Sequence, residues 1–151
     1  MALITLNKLA LPSGSVLQVV KGSVATNEIQ INSTTLTATG TSVSITPTST
    51  SSKILVSVTF NGGKQGANDG AGFSIFRDGT TNLATGSNSY HLIYDSHTTN
   101  SHDTIHMEFL DEPNTTSSVS YELYHKKYST SLAKVSGQFG GRYIQAMEIK
   151  G

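Results

Sequence analysis

Four of the five histidines in this 151-residue chain lie within sixteen residues of one another, and they are His91, His97, His102 and His106. Two carboxylates, Asp95 and Asp103, fall in the same stretch. Imidazole and carboxylate groups are zinc ligands, which bind the ion at about 2.1 Å. A β-strand rises about 3.3 Å per residue, so His102 and His106 on one strand would be about 13 Å apart. We therefore expect surface histidines and no metal site within one chain. In a threefold oligomer, one histidine per subunit meeting on the axis is an alternative.

Nucleophilic chemistry has little support in the sequence. The chain has no cysteine, and its 21 serines and 20 threonines include no Gly-x-Ser-x-Gly motif. Asp111 and Glu112 precede Pro113-Asn114 and are interpreted as turn formers, and Arg77 is interpreted as a strand-end charge. We expect no catalytic residues, no cofactor and no enzymatic activity.

The charge balance argues against two classes of partner. Ten basic residues are matched by ten acidic ones, and only 13% of the chain is charged. A nucleic-acid-binding protein needs a basic surface for the phosphates, so no nucleic-acid partner is expected. The apolar runs are too short to span a bilayer, and the amino end lacks the basic start and long apolar stretch of a signal peptide. We expect no membrane partner either.

The elements that would position any site are short strands. Serine, threonine and 14 glycines make up over a third of the chain, a composition that disfavours helices. Apolar residues alternate with polar ones in Lys53–Asn61, and again in His102–Asp111 and Val119–Lys126, which is the period of a half-buried strand. Asp78-Gly79 indicates a hairpin turn. About ten such strands predict an all-β antiparallel sandwich or barrel.

The segment Asn61–Gly72 contains five glycines and no large apolar residue. Its glycine spacing fits neither of the common phosphate-binding loops, and no helix is predicted after it. We therefore interpret it as a long, exposed surface loop.

The last predicted strand, Arg142–Lys150, carries apolar residues on both faces. Tyr143, Met147 and Ile149 share one face, whereas Ile144 and Ala146 share the other. Such a strand lies either centrally in a packed core or between the core and a neighbouring subunit. We favour the second arrangement, with a subunit interface formed by Tyr143, Ile144, Met147 and Ile149.

The amino-terminal segment is also rich in branched apolar residues. It is too short for an independent helix, and as an exposed tail it would be adhesive. We interpret residues 1–11 as an arm that docks on its own sheet or on another protein, ahead of a domain that spans residues 12–151. The docking residues predicted for this arm are Leu3, Ile4, Leu6, Leu9 and Leu11.

Five ordered segments resemble a family of jelly-roll virion structural proteins of tailed bacteriophages. They are Pro12–Val20, Ser42–Val58, Gly72–Thr80, Phe109–Tyr121 and Ala146–Gly151. The expected shape is similar to the trimeric heads of the tumour necrosis factor and complement globular-head superfamily. The resemblance implies a single two-sheet jelly-roll sandwich of about ten strands that forms a homotrimer through one sheet.

The sequence departs from the tail-fibre members of this family, which carry a long stalk before the head. Only about eleven residues precede the domain here, so we expect a capsid decoration (cement) protein on the outer surface of the virion. Its partners would be further copies of itself and the major capsid protein or another virion protein. The alternative is a tail-fibre or tail-spike head that grips a host receptor or glycan through the glycine-rich segment and Tyr90–His106.

Overall fold

The computed structural model describes residues 11–66, 68–96, 99–136 and 141–151. These ranges form eleven strands and contain no helix, so no helix in them could cross a membrane. The strands are β1 (Val16–Lys21), β2 (Ile29–Ile31), β3 (Thr37–Ile45), β4 (Lys53–Gln65), β5 (Asp69–Arg77), β6 (Thr81–Asn82), β7 (His91–Asp95), β8 (Ser101–Asp111), β9 (Val119–Lys127), β10 (Leu132–Ser136) and β11 (Tyr143–Ile149). The predicted all-β fold is confirmed.

The strands form two antiparallel sheets that pack face to face. In the first sheet, β1 pairs with β11, β11 with β4, and β4 with β8; β10 follows β11 along the same edge of β4, and β2 lies outside β10. In the second sheet the order is β3, β9, β5, and both β7 and β6 pair with the far edge of β5. When the strands β1, β3, β4, β5, β7, β8, β9 and β11 are numbered 1–8, the orders become 1-8-3-6 and 2-7-4-5. This is the strand order of a jelly roll.

The core between the sheets follows from the period-two patterns. Ile54, Val56, Val58 and Phe60 of β4 are fully buried, as predicted from their alternation. Alternate residues of β9 fill the space opposite them, including Tyr121 and Leu123. Because β8 belongs to the first sheet and β9 to the second, the turn between them bridges the two layers.

The glycine-rich segment is not a long loop, which corrects the sequence prediction. Asn61–Gln65 continue β4 and Asp69–Gly72 begin β5, so only a short connection lies between the strands. The glycines are needed for close packing. A Cβ at Gly62 would lie 2.6 Å from Ile105 Cδ1 and 2.9 Å from Phe73 Cζ. The absence of side chains, which suggested mobility in the sequence, lets neighbouring groups approach the backbone.

A buried carboxylate closes one end of the sandwich. Asp69 is fully buried and accepts hydrogen bonds from the backbone N–H groups of Gly70, Ser129, Thr130 and Ser131, at 2.7, 3.0, 2.6 and 2.5 Å. Burial opposes the charge, but the hydrogen bonds outweigh it and lower the pKa of Asp69 to about 2. Asp69 therefore fixes the connection between β9 and β10.

A second buried carboxylate acts in the same way on the other side of the fold. Glu148 in β11 accepts hydrogen bonds from Thr48 N, Thr48 Oγ1 and Ser52 Oγ in the connection between β3 and β4, at 2.7, 2.7 and 2.6 Å. Gln18 Nε2 of β1 donates to it at 2.7 Å. Burial raises the pKa of Glu148, but the hydrogen bonds from these donors lower it by more, so the net shift of the pKa is downward. The last strand is thereby joined to the first strand and to the β3–β4 connection.

An ion pair links the two sheets at a third point. Arg77 Nη1, at the end of β5, lies 2.8 Å from both carboxylate oxygens of Asp111, at the end of β8. The Tyr121 hydroxyl donates to Asp111 Oδ2 at 2.7 Å. Arg77 is therefore more than a strand-end charge, and Asp111 is more than a turn former.

Replacing Gly62 with valine tests whether the glycine-rich segment is packed. The new side chain would overlap Phe60, Phe73 and Ile105, so we expect Gly62→Val to lower the free energy of unfolding by about 1–3 kcal/mol. Urea denaturation would measure this loss. Gly86→Val is the matched control, because a Cβ at Gly86 would have no atom within 4 Å. Equal stability of both variants and the wild type would contradict the close packing around Gly62.

Candidate functional site

The outer face of the first sheet carries an apolar row that crosses four strands. Val19 of β1 is paired with Met147 of β11, Met147 with Leu55 of β4, and Leu55 with Leu110 of β8. Side chains of paired residues point to the same face of a sheet, so these four residues lie side by side. We call them the apolar row.

The apolar row is exposed to solvent at both of its ends. Val19 and Leu110 each have 55% of their surface exposed. The paired residues Val16 and Ile149 extend the apolar area, and Val16 is 49% exposed. Apolar side chains at these exposures form a surface that the described residues of one chain leave uncovered.

Both signs of charge border the apolar row. Lys53 forms a 2.8 Å ion pair with Glu112 on one side of it. On the other side, the next pairs along the strands align Lys21 with Gln145 and Glu108 with Ser57. The face has no large region of one charge.

Three of the four residues predicted at a subunit interface lie on this outer face. Tyr143, Met147 and Ile149 point away from the core, and Tyr143 is 38% exposed. Ile144 does not belong with them. It is fully buried between the sheets, because it lies on the opposite face of β11 together with Ala146. Ile144 is a core residue and cannot contact another subunit.

The predicted docking arm lies mostly outside the described residues. Leu3, Ile4, Leu6 and Leu9 belong to the undescribed segment 1–10, and only Leu11 is described. The Leu11 carbonyl accepts a hydrogen bond from Lys150 Nζ, and Gly14 N donates to Lys150 O at 2.8 Å. Leu11, the last residue of the arm, therefore lies beside the end of β11. Val16 and Ile149, at one end of the apolar face, are close by.

The histidines are distributed over separate environments. His91 packs its ring edge-on against Phe109, with centroids 5.5 Å apart, and His106 Nδ1 lies 2.9 Å from Thr59 Oγ1. His97 lies outside the described residues. Among the residues that the structure describes, no three histidine or acidic side chains are grouped so that they could hold a metal ion.

The fifth histidine, His125, points into the core from β9. It is 1% exposed, and neither ring nitrogen has a hydrogen-bond partner among the described residues. Burial lowers its pKa to about 4, because the imidazolium would lose its hydration without gaining an acceptor. His125 continues the alternation of the buried residues Val119, Tyr121 and Leu123 along β9, but the sequence analysis did not single it out.

The outer face of the second sheet carries a group of tyrosines, of which Tyr90 and Tyr94 lie in the region Tyr90–His106 that the sequence analysis named for receptor or glycan binding. Tyr94 and Tyr128 are 57% and 44% exposed, and their rings meet edge to face with centroids 5.9 Å apart. Tyr124 stacks on Phe76 at 4.2 Å, and Lys126 Nζ lies 4.3 Å from the centroid of the Tyr90 ring. We call Tyr90, Tyr94, Tyr124 and Tyr128 the tyrosine surface.

A polar cleft of about 520 Å³ opens beside the tyrosine surface, and Tyr94 belongs to both. This volume falls within the range of small-molecule sites, about 300–1,000 Å³. The described residues that line the polar cleft are Tyr94, Asp95, Thr99, Asn100, Ser101, His102 and Asp103. Both acidic residues of the histidine-rich stretch, Asp95 and Asp103, and one of its histidines, His102, thus line this cleft.

Comparison with known proteins adds one structural similarity. No family model matches the chain, and neither does any curated protein. Among solved structures, the chain is similar to one titled "Structure of infectious bursal disease virus Gx strain", with 10% sequence identity and a TM-score of 0.40. The match covers 99% of this chain and 40% of that one, so this chain spans less than half of its length. At this identity and TM-score the similarity gives no information about function.

The buried His125 predicts a specific acid sensitivity. Its pKa is lowered from 6.5 to about 4 in the folded state, so folding favours the neutral imidazole. Above pH 6.5 the imidazole is neutral in both states, so it does not alter the free energy of unfolding. As the pH falls from 6.5 toward 4, only the unfolded state binds the proton, and the free energy of unfolding decreases by a total of about 3 kcal/mol. We expect His125→Leu to flatten the loss of stability between pH 6.5 and 4 in urea denaturation. The control His106→Leu, at an exposed position, should keep the wild-type curve; a wild-type curve for His125→Leu would refute the explanation.

Proposed function

We propose that this chain is a structural protein of a bacteriophage virion, and specifically a homotrimeric decoration protein that binds the outer surface of the capsid. The observation that carries the proposal is the apolar row on the outer face of the first sheet. The jelly-roll strand order supports it, because the five sequence segments resemble a family in which this sandwich trimerises through one sheet. The proposed role is binding, without catalysis, cofactor, nucleic acid or membrane.

Further copies of the same chain are the best candidates to cover the apolar row. The chain has a formal net charge of zero, and Lys53 and Glu112 at the edge of the row already neutralise each other. Copies packed around an axis would therefore bring together apolar side chains without accumulating like charges. Burial of exposed Val19 and Leu110 would contribute about 25 cal/mol per Å² of apolar area removed from water.

The amino-terminal arm is the proposed contact with the capsid. Among the described residues, the sandwich core is formed by strands that follow residue 11. The hydrogen bonds of Leu11 and Gly14 to Lys150 hold the junction between the arm and the domain at one end of the sandwich. In a trimer that uses the first sheet, three arms would leave from the same end and could add strands or apolar anchors to neighbouring capsid subunits.

The second candidate function is that of a tail-fibre or tail-spike head that binds a cell-surface receptor or glycan. The tyrosine surface and the polar cleft are the observations that favour it. Copy number in purified particles separates the two candidates, since a decoration protein is present in hundreds of copies and a tail protein in few.

The introduction of a negative charge into the apolar row tests the homotrimer. We expect the wild type to have a mass near three times 16.0 kDa by light scattering. Val19→Glu and Leu110→Glu place a carboxylate at 55%-exposed positions of the row and should give folded monomers. Leu92→Glu is the matched control, because Leu92 is 42% exposed on the second sheet. A monomeric wild type, or a trimer that survives both substitutions in the row, would exclude this interface.

Removal of the arm tests the capsid contact. We expect a chain lacking residues 2–10 to remain a folded trimer but to lose co-sedimentation with undecorated capsids of the phage that encodes it, because its apolar anchors are gone. A variant with the same nine positions replaced by glycine and serine controls for length. Wild-type levels of capsid binding by either variant would contradict the role of the arm.

A further inference from the structure

Two glycines of β5, Gly70 and Gly72, lie next to residues of the tyrosine surface. Gly70 is paired with Tyr94 of β7, and the Tyr128 N–H donates to the Gly70 carbonyl at 3.0 Å, so the two tyrosines flank a residue without a side chain. A Cβ at Gly72 would lie 2.6 Å from Tyr90 Cδ2 and 3.0 Å from Lys126 Cγ. The Tyr90 ring therefore lies over the backbone of Gly72, where a larger residue would displace it.

The orientation of Tyr94 is fixed before any ligand arrives. Its hydroxyl donates to the Asn68 carbonyl at 3.1 Å, and its ring rests against the ring of Tyr128. More than half of its surface nevertheless remains exposed. A buried tyrosine would contribute more to the core, so this ring is ordered at the surface without being used for folding. Such preorganisation reduces the entropy lost on binding.

The polar cleft offers hydrogen-bonding groups next to this ring. Asp95 and Asp103 carry carboxylate acceptors, Asn100 carries an amide that both donates and accepts, and Ser101 carries a hydroxyl. Among its described lining residues Tyr94 carries the only six-membered aromatic ring, and none is aliphatic. An apolar ligand would find no apolar pocket there.

We propose that Tyr94 and the polar cleft form a binding site for a neutral saccharide, which rests on the second candidate function and specifies its ligand. A sugar ring presents an apolar face of C–H groups, which stacks on an exposed aromatic ring, and a rim of hydroxyls that bond to carboxylates and amides. Tyr94 supplies the aromatic ring for the apolar face of the sugar. Asp103, Asn100 and Asp95 supply the polar groups that bond to its hydroxyls. The two carboxylates disfavour an acidic sugar or a phosphate by like-charge repulsion.

This site is independent of the proposed trimer and of the capsid contact. It lies at the second sheet and the adjoining β7–β8 region, whereas the apolar row lies on the first sheet. A chain that fails to trimerise can still bind saccharide, and a trimer can still lack saccharide affinity. The two proposals therefore fail separately.

Calorimetric titration of the full chain with lactose, maltose, cellobiose and chitobiose tests the site, with sialyllactose as the acidic probe. We expect at least one neutral disaccharide to bind with a Kd in the millimolar range or below and to bind more tightly than sialyllactose. Tyr94→Ala should weaken that binding about five- to tenfold, which is the loss expected for one aromatic contact. Tyr94→Phe keeps the ring and should stay within about threefold of the wild type.

Leu92→Ala is the matched control, because Leu92 is an exposed residue of the same strand β7 but does not line the polar cleft. It should bind like the wild type, and Asp103→Asn should bind more weakly. Thermal unfolding of each variant verifies that it is folded. The proposal is overturned if no neutral disaccharide binds, if only sialyllactose binds, or if Tyr94→Ala and Leu92→Ala bind equally well.

Discussion

The structure depends on one long strand that is paired along both of its edges. β4 extends over 13 residues and pairs with β8 on one side and with β11 and then β10 on the other. This continuous pairing is possible because Gly62 and Gly63 leave room for the side chain of Ile105 and the backbone of Ser101. If the strand ended at Asn61, β10 would lose its partner in the sheet, and β2 would lose its support through β10.

The abundant hydroxyl residues have a structural role beyond covering the surface. Glu148 and Asp69 are fully buried carboxylates, and an unpaired buried charge would strongly destabilise the fold. Backbone N–H groups from the loops, together with the hydroxyls of Thr48, Ser52 and Thr130, satisfy them. A chain with few charged residues thus uses two of them to order connections between strands.

The two sheets differ in what they present to the outside. The first sheet presents aliphatic side chains in register across four strands, which suits close packing against a like surface. The second sheet presents tyrosines beside a polar cleft, and the Tyr90 ring lies over the backbone of Gly72. Such a surface suits a ligand that has both an apolar face and hydroxyl groups. One jelly roll can therefore support assembly on one side and recognition on the other.

The sequence alone determined the strand class and the inward faces, because period-two alternation reflects only the local geometry of an extended backbone. It placed Ile54, Val56, Val58 and Phe60 in the core, Tyr143, Met147 and Ile149 on one face of the last strand, and a hairpin turn at Asp78-Gly79, where both residues have positive φ. Only the tertiary structure decided that Ile144 is a core residue and that the glycine-rich segment is paired strand. It also decided that Val19, Met147, Leu55 and Leu110 form one row, and that Tyr94 meets Tyr128. Those contacts depend on the register between strands far apart in the chain, which no local pattern specifies.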